Sequence, residues 1–174
     1  MRLAAGVCGF GLGLALSSMT GSAAAFERQW HVGAAAGAST GQGLQLSPAV
    51  GAYAAYGLSD VFDARLELTA RGYELASEQT PHALSAMVGV AYKLDVLRWV
   101  PWAAVYAGYL GFLEPPVGLS FEQHDAALGF GLGLDYGISR QWGLGVTLRF
   151  DQALTGSGTA SSDALLRAEY RWGW

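Results

Sequence analysis

The chain has 174 residues, which suits one domain, and 52% of them are hydrophobic. It carries 10 Lys and Arg against 14 Asp and Glu, a formal net charge of −4, and this balance argues against nucleic acid as a partner because nucleic-acid binding calls for basic patches. The single cysteine, Cys8, lies in an apolar N-terminal stretch, so the rest of the chain has no disulfide, no catalytic thiol and no cysteine metal site.

The N-terminus has the pattern of a secretory signal peptide. Arg2 supplies the positive charge, an apolar stretch follows, and Ala23 and Ala25 are the small residues expected before a cleavage site. A retained transmembrane anchor is the alternative, and it is disfavoured because the apolar core is short and dense in glycine. The sequence therefore predicts a cleaved signal peptide at 1–25 and a mature domain at 26–174.

From residue 26 onward the dominant period is two, the period of strands whose two faces differ. No stretch of about twenty apolar residues occurs there, which argues against a transmembrane helix. The segment "FDARLELTARGYEL" is the clearest case, with Leu66 and Leu68 on one face and Arg65 and Glu67 on the other. The same alternation predicts eight strands, at 29–38, 48–57, 62–74, 83–94, 101–112, 125–138, 142–153 and 163–174.

The connections between these strands alternate in length. "LSDVF", "DVLRWV" and "SRQ" are short, whereas "STGQGLQLS", "ASEQTPH", "EPPVGLSFEQH" and "LTGSGTASS" are longer and rich in polar residues. Tight turns at one end and long loops at the other are typical of bacterial outer-membrane barrels. The sequence therefore predicts an all-β fold, an eight-stranded antiparallel up-and-down transmembrane β-barrel with short periplasmic turns and longer extracellular loops.

All six tryptophans fall at predicted strand starts or ends. In an up-and-down barrel whose first strand rises from the periplasm, each of them lands on the periplasmic rim. Indole rings favour a membrane interface because the ring is apolar and its N–H seeks water. Tryptophans that merely mark packed strand ends would instead scatter over both rims. We therefore predict an aromatic girdle formed by Trp30, Trp99, Trp102, Trp142, Trp172 and Trp174.

Several segments have a strand–turn–strand pattern that is common among small outer-membrane barrels: "YGLSDVFDARLEL", "VPWAAVYAGYLGF", "GFGLGLDYGIS" and "WGLGVTLRFDQAL". Through these segments the chain resembles the small eight-stranded outer-membrane β-barrel family, of the OmpX and OmpA-transmembrane-domain type. The resemblance covers essentially the whole mature chain. The resemblance implies an architecture and no particular activity. It also implies the outer membrane of a Gram-negative bacterium, outer-membrane lipid as the surroundings, and a monomer.

The last predicted strand carries aromatic residues at alternate positions, Tyr170, Trp172 and Trp174. This strand has to close the barrel against the first one, because an open sheet edge cannot face lipid. A terminal aromatic residue after alternating hydrophobic residues also resembles the C-terminal signal by which outer-membrane barrels are handed to the barrel assembly machinery. We therefore expect that machinery to be a partner of these three residues.

The strand faces opposite the apolar ones carry charges, which the fold would place in the barrel interior. Eight strands enclose a space just wide enough for side chains to fill, and charges cut off from water have to be paired. Gly129, Gly131 and Gly133 are expected to leave room for long arginines from across the barrel. A salt-bridged, filled core is the favoured interpretation, and an ion path or gated pore is the alternative. The predicted interior network consists of Arg65, Glu67, Arg71, Lys93, Asp135, Arg149, Asp151, Arg167, Glu169 and Arg171.

An enzyme is a further alternative, since some eight-stranded outer-membrane proteins modify lipid A with a His and a Ser on the outer face. Here His82 and Ser85 are three residues apart, which puts them on opposite faces of a strand and disfavours a nucleophile–base pair. His31 has no serine near it in the sequence, and His124 lies beside acidic residues in a polar loop. We therefore expect no catalytic residue, no cofactor and no metal site.

Two function classes remain for the barrel itself. One is a structural or adhesive protein whose long loops contact a surface, another cell or a host molecule. The other is a channel that passes small solutes or ions. A secreted, lipocalin-like ligand carrier is a third class, and it is disfavoured because too many charges share one face for a dry ligand cavity. The sequence favours the first class, with a non-conducting interior and a surface ligand at the long loops.

Overall fold

In a computed structural model the chain forms eight strands that close into a barrel. The structure describes residues 28–41, 46–72, 82–94, 98–113, 124–154 and 160–173, without the side chain of His124. The strands are β1 (Trp30–Gly41), β2 (Ser47–Gly57), β3 (Phe62–Gly72), β4 (His82–Lys93), β5 (Trp99–Phe112), β6 (His124–Gly137), β7 (Trp142–Ala153) and β8 (Ala160–Trp172). The predicted signal peptide at 1–25 lies outside the described residues.

Each strand pairs antiparallel with the next one along the chain, and β8 returns to pair with β1. The closing ladder runs without interruption from Trp30↔Trp172 to Gly41↔Ser161. The predicted fold class, an all-β, eight-stranded, up-and-down barrel, is therefore confirmed. Over the described ranges, no helix has the length and hydropathy needed to cross a membrane.

The alternation along each strand separates a buried inner face from an exposed outer face. On β3, Arg65, Glu67 and Arg71 are buried, whereas Leu66 and Leu68 are exposed on the outside. Leucine surface in water is unfavourable, and a lipid environment removes that cost. The barrel thus carries its charges inside and its large aliphatic side chains outside.

The two ends of the barrel differ in the connections that they carry. At what we call the short-turn end, neighbouring strands are joined by residues 58–61, 94–98 and 138–141. At the opposite, long-loop end, the connections are 42–46, 73–81, 113–123 and 154–159.

Two of the short turns are held by a serine side chain. The Ser59 hydroxyl accepts a hydrogen bond from the N–H of Phe62 at 3.1 Å, and the Ser139 hydroxyl accepts one from the N–H of Trp142 at 3.0 Å. Serine oxygens stabilise tight turns because they satisfy backbone N–H groups that the ladder leaves unpaired. These turns fix β2 against β3 and β6 against β7 with only four connecting residues each.

Two strand bounds differ from the prediction in ways that matter for the interior. β1 continues to Gly41, so its connection to β2 is only 42–46, and β8 begins at Ala160 instead of residue 163. Both strands extend because the β1–β8 ladder keeps its register that far. The longer β8 brings Ser161 inside the barrel, where the residue is 3% exposed.

Aromatic side chains surround the outer surface at the short-turn end. Trp30, Trp99, Trp142 and Trp172 are exposed there, whereas the predicted girdle residue Trp174 lies outside the described part of the chain. Neighbouring rings are in contact, with centroids 4.9 Å apart for Trp30 and Tyr56. Every strand contributes at least one ring to this belt. Besides the tryptophans, the belt includes Tyr56, Phe62, Tyr92, Tyr136 and Tyr170. Such a belt suits a membrane interface.

Candidate functional site

The candidate site is the barrel interior, where charged side chains from five strands meet. All ten residues of the predicted network are buried, each at most 7% exposed. The structure adds Asp63, Asp125 and Asp163, which are buried as well. Within the described ranges the interior therefore holds six basic residues (Arg65, Arg71, Lys93, Arg149, Arg167, Arg171) and seven acidic ones (Asp63, Glu67, Asp125, Asp135, Asp151, Asp163, Glu169).

Two arginines and two aspartates form a compact group near the long-loop end, which we call the loop-end cluster: Arg71, Arg149, Asp151 and Asp163. The Arg71 guanidinium binds Asp163 through two hydrogen bonds, Nε to Oδ1 at 2.8 Å and Nη2 to Oδ2 at 2.5 Å. Arg149 Nη2 lies 3.0 Å from Asp151 Oδ2 and 3.2 Å from Asp163 Oδ2. A bidentate hydrogen bond is the strong geometry for an arginine and a carboxylate. The two positive and two negative charges of the cluster sum to zero.

Glu67 connects the loop-end cluster to the middle of the barrel. Its carboxylate accepts hydrogen bonds from Arg149 Nη1 at 3.0 Å and from the Tyr106 hydroxyl at 2.7 Å. Arg149 also donates to the Ser85 hydroxyl at 3.0 Å. Because β3 and β7 lie four strands apart in a ring of eight, the contact between Glu67 and Arg149 crosses the centre of the barrel.

Glu169 is the centre of a second group near the short-turn end, which we call the turn-end cluster: His31, Tyr53, Arg167, Glu169 and Arg171. Arg171 Nε donates to the Glu169 carboxylate at 2.5 Å, and Arg167 Nη2 donates to it at 3.2 Å. The Tyr53 hydroxyl donates at 2.7 Å, and His31 Nδ1 lies at 3.1 Å. One carboxylate thereby contacts polar groups from β1, β2 and β8.

Two further ion pairs complete the short-turn half of the interior. Lys93 Nζ donates to Asp63 Oδ1 at 2.6 Å, and Arg167 Nε lies 3.4 Å from Asp135 Oδ1. Arg65 has a looser contact, since its Nη2 lies 3.9 Å from Asp63 Oδ2. The Arg65 guanidinium instead stacks on the indole ring of Trp102.

Guanidinium groups and aromatic rings stack across the interior. The Arg65 guanidinium lies 3.9 Å from the centroid of the Trp102 ring. Arg167 lies 4.0 Å from the Tyr53 centroid and 4.9 Å from the Trp102 centroid. Such cation–π contacts strengthen when they are shielded from water. These four side chains, from β2, β3, β5 and β8, stack on one another in the short-turn half of the barrel.

Trp102 therefore does not belong to the outer girdle, and its predicted place there was wrong. The side chain is 4% exposed and points into the barrel. β5 begins at Trp99, so Trp102 is the fourth residue of the strand and faces inward with Val100, Ala104 and Tyr106. Both faces of β5 are apolar in sequence, and alternation alone does not say which one is the inner face.

Gly131 and Gly133 on β6 make room for aromatic rings from β5, and Gly129 makes room for Asp151, whereas the prediction was space for arginines from across the barrel. A Cβ at Gly133 would lie 2.2 Å from Trp102 Cε2, and one at Gly131 would lie 3.0 Å from Tyr106 Cε2. A Cβ at Gly129 would lie 2.6 Å from a carboxylate oxygen of Asp151. The reason is the β5–β6 register, which pairs Trp102 with Gly133 and Tyr106 with Gly129.

Several interior residues escaped sequence analysis, among them Asp163, Tyr53 and Tyr106. Asp163 lies on the inner face of β8, and this inward position could have been found from its even spacing with Arg167 and Glu169. Tyr53 and Tyr106 lie on strands whose two faces are both rich in small or apolar residues. For those two tyrosines the sequence holds no charge that marks the inner face.

The candidate catalytic residues of the sequence are not brought together. His82 is exposed at the start of β4, whereas Ser85 is buried and accepts the hydrogen bond from Arg149. His31 lies inside, against Glu169. Among the described residues, no group of three or more His, Cys, Asp or Glu side chains is placed to hold a metal ion.

The described part of the predicted C-terminal signal lies on the outer surface of β8. Trp172 is exposed, and Tyr170 packs between Trp142 and Trp172 with centroid distances of 5.1 and 6.1 Å. The ladder ends at Trp172, and Gly173 then adopts a φ of 101°, a conformation that L side chains rarely adopt. The terminal Trp174 lies outside the described residues.

Several solved structures share this fold. The chain is similar to Neisserial surface protein A, with a TM-score of 0.67 and 17% sequence identity over 83% of this chain and 97% of that one. It is similar to Ail, the attachment invasion locus protein of Yersinia pestis, with a TM-score of 0.59 and 12% identity over 84% and 100%. It is also similar to the outer membrane enzyme PagL, with a TM-score of 0.56 and 14% identity over 80% and 97%.

No protein-family model and no curated protein sequence matches the chain. The structural neighbours cover nearly all of their own length, and they show that the fold is that of the small eight-stranded outer-membrane β-barrels. One fold carries an attachment protein and an enzyme, so function has to be argued from this chain's own residues.

Proposed function

We propose that the chain is an integral outer-membrane β-barrel of a Gram-negative bacterium, with a filled, non-conducting interior and a structural or surface-interaction role. The observation that carries the proposal is the contrast between the two faces of the barrel wall. The outer face is aliphatic with a ring of aromatic side chains at one end, as a lipid environment requires. The inner face is joined across its width by ion pairs and stacked rings.

Charge balance supports a filled interior over a selective pore. Pores that select ions usually carry rings of one charge sign. Here the two signs are nearly equal in number and directly paired, with the loop-end cluster neutral by itself. In the short-turn half, Arg167 contacts two rings and two carboxylates at once, which leaves it no freedom to act as a gate.

Planar-bilayer recording tests the non-conducting interior. Refolded protein is added to a bilayer, and bilayers without protein serve as the control. We expect a current trace with no defined steps, because the side chains that close the interior are buried on opposite strands. Steady, ion-selective steps from the wild-type barrel would establish the channel alternative instead.

A surface-interaction role at the long loops is supported by charge and by one structural neighbour. The connections 73–81 and 113–123 contain four glutamates and no lysine or arginine. A ligand of this surface is therefore expected to be basic or bound through a divalent cation. Ail is described as an attachment invasion locus protein, so the same fold supports attachment in another chain.

An adhesion assay tests this role. Bacteria displaying the wild-type protein are compared with bacteria displaying a variant shortened within 114–122, and a variant shortened within 155–158 is the control. We expect the first deletion to lower adhesion to host cells and the control to keep it. Equal adhesion of both deletion variants, each shown to be folded, would speak against a ligand at the acidic loops.

We also propose that the protein is not an enzyme. PagL shows that this fold supports catalysis in another chain. In the present chain, His82 and Ser85 lie on opposite sides of the barrel wall, so neither activates the other. Lipid A extracted from cells that express the protein should be unchanged in mass, and a mass loss equal to an acyl chain would overturn this proposal.

Its partners follow from the same architecture. Outer-membrane lipid covers the aliphatic face, and a closed barrel has no free edge through which to associate, so we propose a monomer. The barrel assembly machinery is proposed to read the C-terminal strand through Tyr170, Trp172 and Trp174. Analytical ultracentrifugation in detergent tests the monomer, and a sedimenting dimer at micromolar concentration would contradict it.

A further inference from the structure

An apolar groove of about 510 Å³ lies on the outer face of the barrel wall, across β2, β3, β4 and β5, and we call it the outer groove. Its floor is formed by three alanines, whose small side chains leave space beside larger neighbours: Ala52, Ala70 and Ala86. Its sides are formed by four larger side chains, each at least 41% exposed: Val50, Leu68, Leu84 and Tyr109. Because the outward-facing band of a membrane barrel contacts lipid, the groove faces the acyl chains of the bilayer.

The outer groove results from the register of these strands. Ala70 pairs with Val50 on β2 and with Leu84 on β4, so a small side chain stands between two larger ones. At the next outward-facing position of β3 the order is reversed, and Leu68 stands between two alanines. The small side chains therefore follow one another diagonally across the strands. Because barrel strands tilt by about 35–45°, a path across them also runs partly along the membrane normal, the direction in which acyl chains extend.

The outer groove lies in the half of the wall nearest the long loops. Ala70 is two residues from the end of β3 and Leu84 is two residues from the start of β4, both at the long-loop end. Beyond Ala70, the next outward-facing residue is Gly72, which has no side chain to close the groove. Among the described residues, a Cβ placed at Gly72 would meet only the His82 imidazole, with Nδ1 at 3.6 Å. The groove is therefore open toward the long-loop end.

Two polar side chains lie at this open end. The Tyr109 ring is turned toward the long loops, because a Cβ placed at Gly111, the next outward-facing residue, would lie 2.9 Å from the Tyr109 hydroxyl oxygen. The His82 side chain is exposed beside Gly72. A tyrosine at a membrane interface keeps its ring in the apolar layer and its hydroxyl near the headgroups. The open end thus presents hydroxyl and imidazole groups to a headgroup, whereas the rest of the groove presents apolar surface.

We propose that the outer groove binds one acyl chain of lipid A, the lipid of the outward-facing leaflet, with the sugar headgroup against Tyr109 and His82. This inference rests on the proposed function, because it requires that the long loops are extracellular. The volume of the groove falls in the range of about 300–1,000 Å³ that is usual for ligand sites. A chain in the groove contacts protein at the floor and at both sides, and these many weak contacts favour it over a chain that touches a flat wall.

Two other occupants fit the outer groove less well. A phospholipid of the opposite leaflet has its headgroup at the short-turn end, away from the open end of the groove. A second copy of the barrel is convex like the first, so the two walls would touch along a narrow line and leave the depression between the side chains unfilled.

Native mass spectrometry of the purified, folded barrel in detergent tests the proposal. The protein is mixed with lipid A or, at the same concentration, with phosphatidylethanolamine, and the lipids that stay bound are counted. The test variant is Ala70→Leu, whose larger side chain fills the groove between Val50 and Leu84. The matched control is Ala64→Leu, on the same face of the same strand but outside the groove. We expect one bound lipid A in the wild-type protein and in Ala64→Leu, and its loss in Ala70→Leu.

Three results would overturn the lipid A site: no lipid bound to the wild-type protein, equal binding by Ala70→Leu, or phosphatidylethanolamine bound as well as lipid A. A dimer that Ala70→Leu disrupts would assign the groove to a second copy instead. Heat-dependent migration in SDS shows that each variant is folded, and Ala86→Leu replaces Ala70→Leu if the latter does not fold. A barrel that migrates normally without binding lipid A contradicts this site alone, whereas a wild-type protein that forms no barrel contradicts the proposed function.

Discussion

At the residue scale, Glu169 shows how one side chain organises the short-turn half of the interior. Its two oxygens contact Arg167 and Arg171, the Tyr53 hydroxyl and His31. A carboxylate held by two guanidinium groups is stable in a dry interior only because its charge is compensated. Removing the carboxylate would leave those buried guanidinium groups with fewer partners.

Glu169→Ala should therefore destabilise the barrel by about 3–5 kcal/mol, the usual cost of breaking a buried pair. The free energy of unfolding is measured by urea titration in lipid vesicles, followed by tryptophan fluorescence. Asp60→Ala, at an exposed turn, is the control and should change stability by less than about 0.5 kcal/mol. Equal effects of the two substitutions would mean that the interior pairs contribute nothing.

Gly133→Ala is the sharpest steric test of the inward Trp102. The added methyl group would overlap the indole ring, so the ring or the backbone has to move, and such overpacking costs about 1–3 kcal/mol. Gly137→Ala is the matched control on the same strand, because its Cβ would meet only the Arg98 carbonyl oxygen at 3.9 Å. If both variants unfold at the wild-type urea concentration, the indole does not occupy that space.

At the element scale, β6 illustrates the two faces of a membrane-crossing strand. Leu128, Phe130, Leu132 and Leu134 are exposed on the outer face, and glycines alternate with them on the inner face. The large residues cover the wall toward lipid. Two of these glycines, Gly131 and Gly133, leave space on the inner face for the rings of Tyr106 and Trp102 from β5.

Leu132→Arg should cost about 2–4 kcal/mol, because it places a charge near the bilayer midplane. Leu113→Arg, beyond the end of β5, is the control, and its cost should be about 0–1 kcal/mol. Folding titrations into vesicles measure both. A harmless Leu132→Arg would show that this face of β6 does not contact lipid.

At the scale of the whole molecule, closure of β8 against β1 removes the last free sheet edge. The ladder of this seam is as continuous as those between sequence neighbours. A closed barrel resists detergent because no strand edge is open to attack. We expect the folded protein to resist SDS at room temperature and to migrate differently after boiling, and identical migration would argue against closure.

Truncation tests the C-terminal strand as an assembly signal. Removing residues 172–174 should lower the yield of heat-modifiable protein in the outer membrane far more than shortening 155–159. The reason is that Trp172 is the last rung of the closing ladder, whereas 155–159 connects two strands that already neighbour each other. Equal yields would mean that the terminal aromatic residues carry no assembly information.

The sequence by itself determined the number of strands and their order. It also determined the inner face of those strands on which charged residues occupy alternate positions. On β3, β7 and β8 the alternation of charged and apolar residues leaves one arrangement that buries the charges together. Only the tertiary structure decided which side chains meet across the barrel. The Glu67–Arg149 contact and the stack of Arg167 on Tyr53 and Trp102 join residues far apart in the chain.

β5 marks the boundary between the two kinds of information. Both sets of alternate positions in β5 are apolar, so nothing in the local sequence shows that Trp102 faces inward and Trp99 outward. The distinction comes from the register with β6, where Gly133 offers the only kind of residue that leaves space for an indole on the inner wall. Strand period is a local property of the chain, whereas the space beside a side chain belongs to its neighbours, and these are fixed only when the barrel closes.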